Sequence, residues 1–388
     1  MRRNKAVLII LSMFLIVSLL TAGCGGGGKK TFKIGYIGPL TGDAALWGNA
    51  ELNALKLAVD KQNKAGGILG AQIEIKYYDN RMDAVETTNA ARKLLEQDKV
   101  SVIIGTNASG PSIALANMCE QFKVPHIATT STNPKVTVDN GKVRPFSFRM
   151  QYIDPFQGTL MAQYALEKLG AKKAATLYEV GSDYSVGLAQ FFKQAFEKGG
   201  GQVVANEAYK TGDVDFRAQL TKIKPTEPDV FFVPALYKEL GLIANQTRQM
   251  GIKATFLGGD TWTVQDIFQI AKEAVQGAYY VAPVELSDPK LKPYMDEYKA
   301  AYGSYPGSEG ANAFLTNDAF LVIMDAVKRA NSFDPVKIRD AIEQTKDLPV
   351  LTGTFSIDPA THDPLNPEGY ILQIQGTGYK LIGKFKAH

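Results

Sequence analysis

The chain has 388 residues, with 43 lysines and arginines against 39 aspartates and glutamates, and its formal net charge is +4. Hydrophobic residues make up 45% and charged residues 21%, as in ordinary soluble globular proteins. The first 23 residues contain three of the basic side chains, and without them the chain is close to neutral, which gives no indication of nucleic-acid binding. The remaining length exceeds one typical hydrophobic core and favours two domains.

Residues 1–23 have the layout of a secretory signal peptide. A cationic start is followed by an apolar run over residues 6–20, which is shorter than the roughly 18 to 20 residues that cross a bilayer. The run ends in Leu-Thr-Ala-Gly-Cys, which resembles the bacterial lipobox, although Thr21 stands where leucine is usual. We therefore expect cleavage before Cys24 and lipidation of Cys24. An uncleaved anchor helix is the alternative.

Residues 24–30 consist of Cys24, four glycines and two lysines, a composition that predicts a flexible tether. It is not a Walker-type phosphate loop, because Lys29 separates the last glycine from Lys30. With Cys24 lipidated, Cys119 has no partner and no disulfide is expected. Cys119 lies on an apolar stripe with helical spacing, which indicates a packed core position.

From Thr31 onward, apolar runs alternate with amphipathic segments. The spacing predicts strands at residues 32–37, 72–78, 100–104 and 124–128, and helices at 49–63, after the capping box at 83–86, and around Cys119. The alternation pauses near residues 148–155. It then resumes with strands at 174–178, 202–205, 230–233 and 255–257, a helix at 186–198, two later helices at 291–302 and 312–330, and a strand-like tail over 353–386. Repeated β-α-β units predict an α/β fold with parallel sheets covered by helices on both faces.

Ligands bind beyond the carboxyl ends of strands in open parallel sheets, and this rule selects a few loops. The loops of the first unit are small, rich in hydroxyl groups and almost uncharged. Those selected are residues 38–48, 105–110 and 129–133 in the first unit, and 179–184, 234–237 and 258–262 in the second.

Five residues in these loops are candidates for holding a solute. Ser109 precedes a helix start, where its hydroxyl and the free amides suit a carboxylate, although a plain N-cap role is the alternative. Thr130, Ser131 and Thr132 offer hydroxyl and backbone groups, or form only a turn. Asp260 is the one acidic side chain of a Gly-Gly-Asp loop, where it could face an ammonium group or be only a turn residue.

Several segments together resemble the branched-chain amino-acid (Leu/Ile/Val-type) binding proteins of ABC importers, which have the periplasmic binding protein type I fold. The similarity runs from about residue 31 to at least Trp262 and continues more weakly to the end. The segments are GYIGPLTG at 35–42 with Trp47-Gly48, NKAGGI at 63–68, VIIG at 102–105, VPHI at 124–127 and Asp183-Tyr184.

This resemblance implies two Rossmann-like lobes, joined by three crossover segments, with a ligand cleft between them. Lobe 1 would comprise residues 31–151 and 284–352, and lobe 2 residues 152–283 and 353–388. The lobes would close on one solute about crossovers near residues 151–154 and 281–284.

The resemblance also assigns roles to individual residues. Ser109 and Thr132 match positions that hold the ligand carboxylate, with backbone groups of Thr130 and Ser131 beside them. Asp260 matches the acidic residue that pairs with the ammonium group.

Two aromatic residues complete the implied site. Tyr184 corresponds to an aromatic residue of the second lobe, and Trp47 to one near the ligand side chain. Leu236 replaces a tyrosine that the family often has, with Tyr237 next to it, so the preferred amino acid stays open.

The implied function is capture of an amino acid, branched-chain or otherwise hydrophobic, by a monomeric lipoprotein outside the cytoplasm that delivers it to an ABC permease. No metal, cofactor, catalytic residue or nucleic-acid partner is expected. The same fold binding an amide, a urea-like solute or an aromatic acid is one alternative, and a receptor sensing domain, which would need a membrane segment after it, is another.

An exported two-domain α/β enzyme is the alternative from a different class. The chain has three histidines and no cluster with metal-ligand spacing. It also lacks the Gly-x-Ser-x-Gly elbow of hydrolases and a Gly-x-Gly-x-x-Gly sequence after a strand. We therefore predict a binding protein.

Overall fold

A computed structural model describes residues 30–306 and 310–387. The predicted signal peptide and most of the predicted tether, including Cys24, lie outside the described residues. Within the described ranges, no helix combines the length and the apolar character needed to span a bilayer.

The first segment of the chain alternates strands and helices almost as the spacing predicts. Its strands are β1 (Thr31–Gly38), β2 (Gln72–Asp79), β3 (Val102–Ile104), β4 (His126–Ala128), β5 (Val138–Asp139), β6 (Lys142–Val143) and β7 (Ser147–Arg149). Its helices are α1 (Ala45–Lys64), α2 (Ala84–Arg92) and α3 (Ser109–Phe122). Helix α2 starts at the predicted box, because the Asp83 side chain accepts hydrogen bonds from the amides of Val85 and Glu86.

The second segment repeats the alternation. Its strands are β8 (Lys173–Glu179), β9 (Gln202–Tyr209), β10 (Val230–Phe232), β11 (Thr255–Gly258) and β12 (Tyr279–Ala282). Its helices are α4 (Asp154–Glu167), α5 (Asp183–Lys198), α6 (Arg217–Ile223), α7 (Tyr237–Gln249) and α8 (Ile267–Ala271).

The last segment adds three helices and then four strands. The helices are α9 (Lys292–Tyr302), α10 (Asn312–Ala330) and α11 (Pro335–Glu343). The strands are β13 (Leu348–Val350), β14 (Gly353–Phe355), β15 (Gly369–Gln375) and β16 (Gly378–Phe385).

Two separate sheets form the centres of two lobes. The sheet of the first lobe is parallel throughout, with the strand order β2-β1-β3-β4-β7. The sheet of the second lobe has the order β16-β15-β12-β11-β10-β8-β9, with only β15 and β16 antiparallel to their neighbours. The predicted α/β class and two-lobed architecture are confirmed. Because consecutive strands run the same way, their carboxyl ends and following loops meet at one edge of each sheet.

Helices cover both faces of each sheet and bury continuous apolar surface. In the first lobe, α10 packs with α1 over one face, and Phe32, Ile104 and Phe314 share the core there. On the other face, Cys119 is buried with Leu94. The predicted core role of Cys119 agrees with this position, and burial raises the pKa of its thiol.

The chain passes between the lobes three times. Met150 packs in the core of the first lobe and Tyr152 in that of the second. The chain returns between Ala282 and Val284.

The third crossover corrects the predicted boundary between residues 352 and 353. Phe355 and Ile357 are buried in the first-lobe core, and Asp363 forms an ion pair with the buried Arg149 there at 2.5 Å. The chain therefore enters the second lobe only before β15, because the short β13-β14 hairpin packs back on the first lobe. A strand-like pattern in residues 353–355 does not reveal which sheet the strand joins.

Candidate functional site

One cleft with a cavity volume of about 550 Å³ lies between the lobes, at the carboxyl ends of both sets of strands. Both lobes contribute residues to its walls, which fits a solute enclosed by two domains. Six of the seven predicted ligand residues line this cleft, namely Trp47, Ser109, Thr130, Thr132, Tyr184 and Asp260.

Ser109 is the first residue of α3, and it is buried at the edge of the cleft. The capping position belongs to Ala108, which provides no side-chain hydrogen bond to the helix. The N-cap interpretation of Ser109 is therefore wrong. Its hydroxyl instead accepts a hydrogen bond from the backbone amide of Asn133 at 3.3 Å, and the uncapped helix start suits a carboxylate.

The loop after β4 presents alternate residues to the cleft. Thr130 and Thr132 line the cavity, and the Thr130 hydroxyl donates to the carbonyl of Asn107 at 3.2 Å. Ser131 does not line it. The Ser131 hydroxyl bonds the hydroxyl of Ser112 at 2.5 Å beneath the loop.

The main chain of Ser131 is also engaged away from the cleft, because its carbonyl accepts a hydrogen bond from the Arg149 guanidinium at 2.9 Å. The hydroxyl and the carbonyl of Ser131 are therefore engaged away from the cleft, and the predicted backbone contact of Ser131 with the ligand stays a prediction. Of the three consecutive hydroxyl residues, only Thr130 and Thr132 therefore line the cleft.

Asp260 faces the cleft from the second lobe, directly after β11. Its carboxylate accepts hydrogen bonds from the Gln151 amide at 2.6 Å and from the Tyr184 hydroxyl at 3.0 Å. Desolvation by the surrounding walls raises the pKa of Asp260. No cationic side chain of the described residues pairs with it, so a partly buried carboxylate is available as an acceptor to a cation in the cleft.

Asp154 is a fully buried acid behind this position, and the sequence analysis missed it. Its backbone amide donates to the carbonyl of Thr132 at 2.8 Å, and its side chain accepts from Gln157 at 3.1 Å. Burial raises its pKa to about 7. The side-chain oxygen of Gln157 also accepts a hydrogen bond from the backbone amide of Asp260 at 3.4 Å, so the Gln157 side chain connects both acids. In the sequence, an aspartate before proline at a helix start is indistinguishable from an ordinary helix-initiating residue.

The opposite end of the cleft is apolar. The ring of Trp47, from the first lobe, meets the ring of Tyr237, from the second, in an edge-on contact with centroids 5.5 Å apart. Ala44 and Val264 are buried with them. Leu236 and Tyr237 both line the cleft, so Tyr237 supplies an aromatic ring next to the position where the sequence departs from the expected tyrosine.

The lobes contact each other on both sides of the cleft. On one side, the side-chain amide of Asn133 donates to the backbone carbonyl of Asp183 at 2.9 Å. On the other, Lys238 forms an ion pair with Asp43.

None of the described residues that line the cleft is a histidine or a cysteine. His126 lies inside β4 with its ring 2.9 Å from the Ser147 hydroxyl, and burial lowers its pKa to about 4. Within residues 30–306 and 310–387, no group of three or more histidine, cysteine or acidic side chains could hold a metal ion.

Residues 31–379 of the sequence match the family described as periplasmic binding protein. The chain belongs to this periplasmic binding protein family. The match covers both lobes and the three segments that join them. It therefore supports the two-lobed binding fold as a whole and is not limited to one sheet.

Individual relatives of this periplasmic binding protein agree with the family match. It is 29% identical over 330 residues to the leucine-, isoleucine-, valine-, threonine- and alanine-binding protein of Pseudomonas aeruginosa, which covers 84% of this chain and 86% of the relative. Among solved structures, a leucine-binding protein of Thermotoga maritima has 34% identity and a TM-score of 0.84, covering 92% of this chain and 99% of that one.

A second solved structure is the branched-chain amino acid transporter substrate-binding protein of Streptococcus pneumoniae in complex with isoleucine. It has 32% identity and a TM-score of 0.81, with 92% of this chain and 99% of that chain covered. The predicted resemblance to branched-chain amino-acid-binding proteins of ABC transporters is confirmed by these relatives.

Proposed function

We propose that this periplasmic binding protein captures a branched-chain or other hydrophobic amino acid by closure of its lobes and delivers it to an ABC permease. The arrangement of polar and aromatic groups around the cleft supports this proposal. Hydroxyl donors and an uncapped helix start lie at the first-lobe side, the Asp260 carboxylate lies at the second-lobe side, and an aromatic wall lies at the far end.

The charges of a free amino acid suit this arrangement. Its carboxylate needs donors, which Ser109, Thr132 and the start of α3 provide, with Thr130 beside them. Its ammonium group needs an anionic acceptor, which Asp260 provides with Tyr184 beside it. An apolar side chain then extends toward Trp47 and Tyr237, where burial of each CH₂ group contributes about 0.8 kcal/mol.

Calorimetric titration with a panel of amino acids tests this function, after unfolding and refolding the protein to remove carried-over ligand. We expect leucine, isoleucine or valine to bind, and mass spectrometry to recover the ligand unchanged. Chemical conversion of the ligand would support the exported enzyme instead. Preferred binding of an amide, a urea-like solute or an aromatic acid would retain the fold and reject the amino-acid assignment.

We also propose that the protein acts as a monomer, held at the outer face of the cell membrane by lipidated Cys24. Cys24→Ser should abolish lipid labelling and release or misprocess the protein, while calorimetry should show that solute binding by the mature protein is unchanged. Stable attachment requires more than one acyl chain, because a single chain gives only marginal membrane binding. Membrane retention of the variant without lipid would favour an uncleaved anchor helix.

A further inference from the structure

Another buried acid, Glu51, lies on α1 beneath the floor of the cleft, and the solute-binding arrangement described above does not use it. Its side chain is fully buried. None of the ion pairs among residues 30–306 and 310–387 includes Glu51. A buried carboxyl group without a cationic partner is costly as an anion, so its surroundings must explain its presence.

Three segments of the chain bond the Glu51 carboxyl group. Its Oε1 atom accepts from the Thr129 hydroxyl at 2.6 Å and from the Asn312 amide at 2.9 Å. Its Oε2 atom lies 2.9 Å from the Tyr36 hydroxyl. Glu51 therefore joins β1, the loop after β4 and the start of α10 at one point.

The Tyr36 contact indicates that Oε2 carries a proton. The Tyr36 hydroxyl lies 2.9 Å from the carbonyl oxygen of Gly48 and also 2.9 Å from Oε2. A tyrosine has one proton to donate, so it cannot serve both acceptors equally. If Glu51 is a neutral acid, its own O–H donates to Tyr36, Tyr36 donates to Gly48, and Oε1 remains free to accept from Thr129 and Asn312.

This network continues into the head-group end of the cleft. Asn312 donates to Glu51 and also to the Thr130 hydroxyl, at 3.2 Å. Thr130 in turn donates to the carbonyl of Asn107 at 3.2 Å. Asn312, Thr130 and Asn107 all line the cleft, whereas Glu51 does not.

We propose that Glu51 is a proton-carrying positioning residue: as a neutral acid it holds Asn312 and the loop after β4 in place for a solute carboxylate, and loss of its proton weakens capture of that solute. This inference rests on the proposed function, because it requires a solute that carries a carboxylate at the first-lobe side of the cleft.

The electrostatic surroundings of Glu51 agree with a neutral acid. Burial raises its pKa to about 7, and the hydrogen bonds that Thr129, Asn312 and Tyr36 would donate to the ionised form oppose that rise only in part. No charged group contributes to the shift. Among the described residues, Tyr36 is the titratable group that faces Glu51. Burial raises the pKa of Tyr36 well above its usual value, an ionised Glu51 would raise it further, and Asp79 adds to the rise from the end of β2.

The direction of the pH dependence follows from the charges. A solute carboxylate disfavours a second negative charge nearby, so bound solute raises the pKa of Glu51 further. By linkage, solute binding takes up a proton in the pH range around that pKa, and affinity falls as the pH rises through about 7. Each unit by which solute shifts the pKa corresponds to about a tenfold change in affinity between the protonated and ionised forms.

The test compares dissociation constants of the wild-type protein and two variants from pH 6 to pH 8.5, with leucine as the probe. Glu51→Gln imitates the neutral acid, because its amide can donate to Tyr36 while its oxygen accepts from Thr129 and Asn312. We expect wild-type affinity to fall about tenfold over this range and the fall to be largely lost in Glu51→Gln. Glu51→Ala should bind weakly at every pH, because it leaves Asn312 and Thr129 without an acceptor.

Asp154→Asn is the matched control, since Asp154 is also a buried acid whose pKa is raised to about 7. If the affinity loss persists in Asp154→Asn and disappears in Glu51→Gln, the effect belongs to Glu51. An equal pH dependence in wild type and Glu51→Gln overturns the inference.

Infrared difference spectroscopy at pH 6 on protein without solute tests the proton independently of the ligand. We expect a protonated-carboxyl C=O band that Glu51→Gln removes and Asp154→Asn retains. No loss of band intensity in folded Glu51→Gln overturns the inference even if amino acids bind. If the band is assigned to Glu51 but no amino acid binds at any pH, the proposed function fails and the coupling to solute fails with it.

Discussion

The two ends of the cleft are built by different physical means. At the head-group end, hydrogen bonds fix Ser109 to Asn133 at 3.3 Å within the first lobe, and Asp260 of the second lobe to Gln151 at 2.6 Å. At the side-chain end, Trp47, Tyr237 and Val264 are fixed by packing. Hydrogen bonds require particular partners in particular directions, whereas apolar packing requires only shape and volume.

This difference separates two kinds of recognition. The directional, charged head-group end suits the carboxylate and ammonium groups that every amino acid shares. The apolar end, with its given volume, suits the side chain, which varies. We therefore expect substitutions at the head-group end to weaken all amino acids alike, and substitutions at the side-chain end to change the order of preference among them.

The largest expected effect comes from Asp260→Ala. It leaves a buried ammonium group without its anionic partner, which costs on the order of 3 to 5 kcal/mol, so affinity should fall more than a hundredfold. Calorimetry with leucine and with alanine should give similar losses for both ligands. Asp266→Ala, which removes an exposed acid in the same region, is the matched control. Normal binding by Asp260→Ala would reject the ammonium assignment.

Trp47→Ala should have the second-largest effect, and the effect should depend on the ligand. Losing this wall removes apolar contact worth about 1 to 3 kcal/mol for a leucine side chain and much less for alanine. The measurement is the ratio of the two affinities, which should fall in Trp47→Ala and stay constant in Asp260→Ala. Tyr77→Ala, at a half-exposed aromatic residue of β2, is the control. An unchanged ratio would mean that the solute side chain lies elsewhere.

Ser109→Ala should weaken binding by about 0.5 to 1.5 kcal/mol, because one neutral hydroxyl is lost while the helix start remains. Ser131→Ala provides the contrast. It breaks the buried bond to Ser112, so it should lower the midpoint of thermal unfolding more than it changes affinity. Titration and thermal unfolding of both variants check this. A larger binding loss in Ser131→Ala than in Ser109→Ala would mean that the Ser131 side chain contributes to the ligand site.

Ser131 also shows where sequence reasoning reached its limit. Local periodicity predicted β1, α1 and α3 closely, because neighbouring side chains determine those patterns, and the rule for parallel sheets selected the loops that line the cleft. Neither the periodicity nor the rule for parallel sheets indicates which residues of a hydroxyl-rich loop face the cleft. The sequence shows the departure at Leu236, but only the packing of Tyr237 on Trp47 shows how an aromatic ring reaches the cleft.

Contacts between distant segments were missed for a related reason. Gln151 bonds Asp260 across 109 positions, and Asn312 bonds Thr130 across 182. Such pairs depend on how the crossovers bring the lobes and the last segment together. Asp154 and Glu51 carry no local signal of their roles either, because an acid on a helix is ordinarily exposed.

The smallest expected effect concerns the ion pair between Asp43 and Lys238, which joins the lobes at the side-chain end. The Asp43 side chain is 86% exposed and that of Lys238 41% exposed, so water and salt screen the attraction. Exposed pairs typically contribute about 0.2 to 1 kcal/mol, and Asp43→Ala should weaken leucine binding less than fivefold, through faster dissociation. Stopped-flow measurement at low and high salt checks this, since the difference from wild type should shrink as salt rises. If Asp43→Ala weakens binding more than Ser109→Ala does, polar contacts dominate both ends of the cleft, and the contrast between them is wrong.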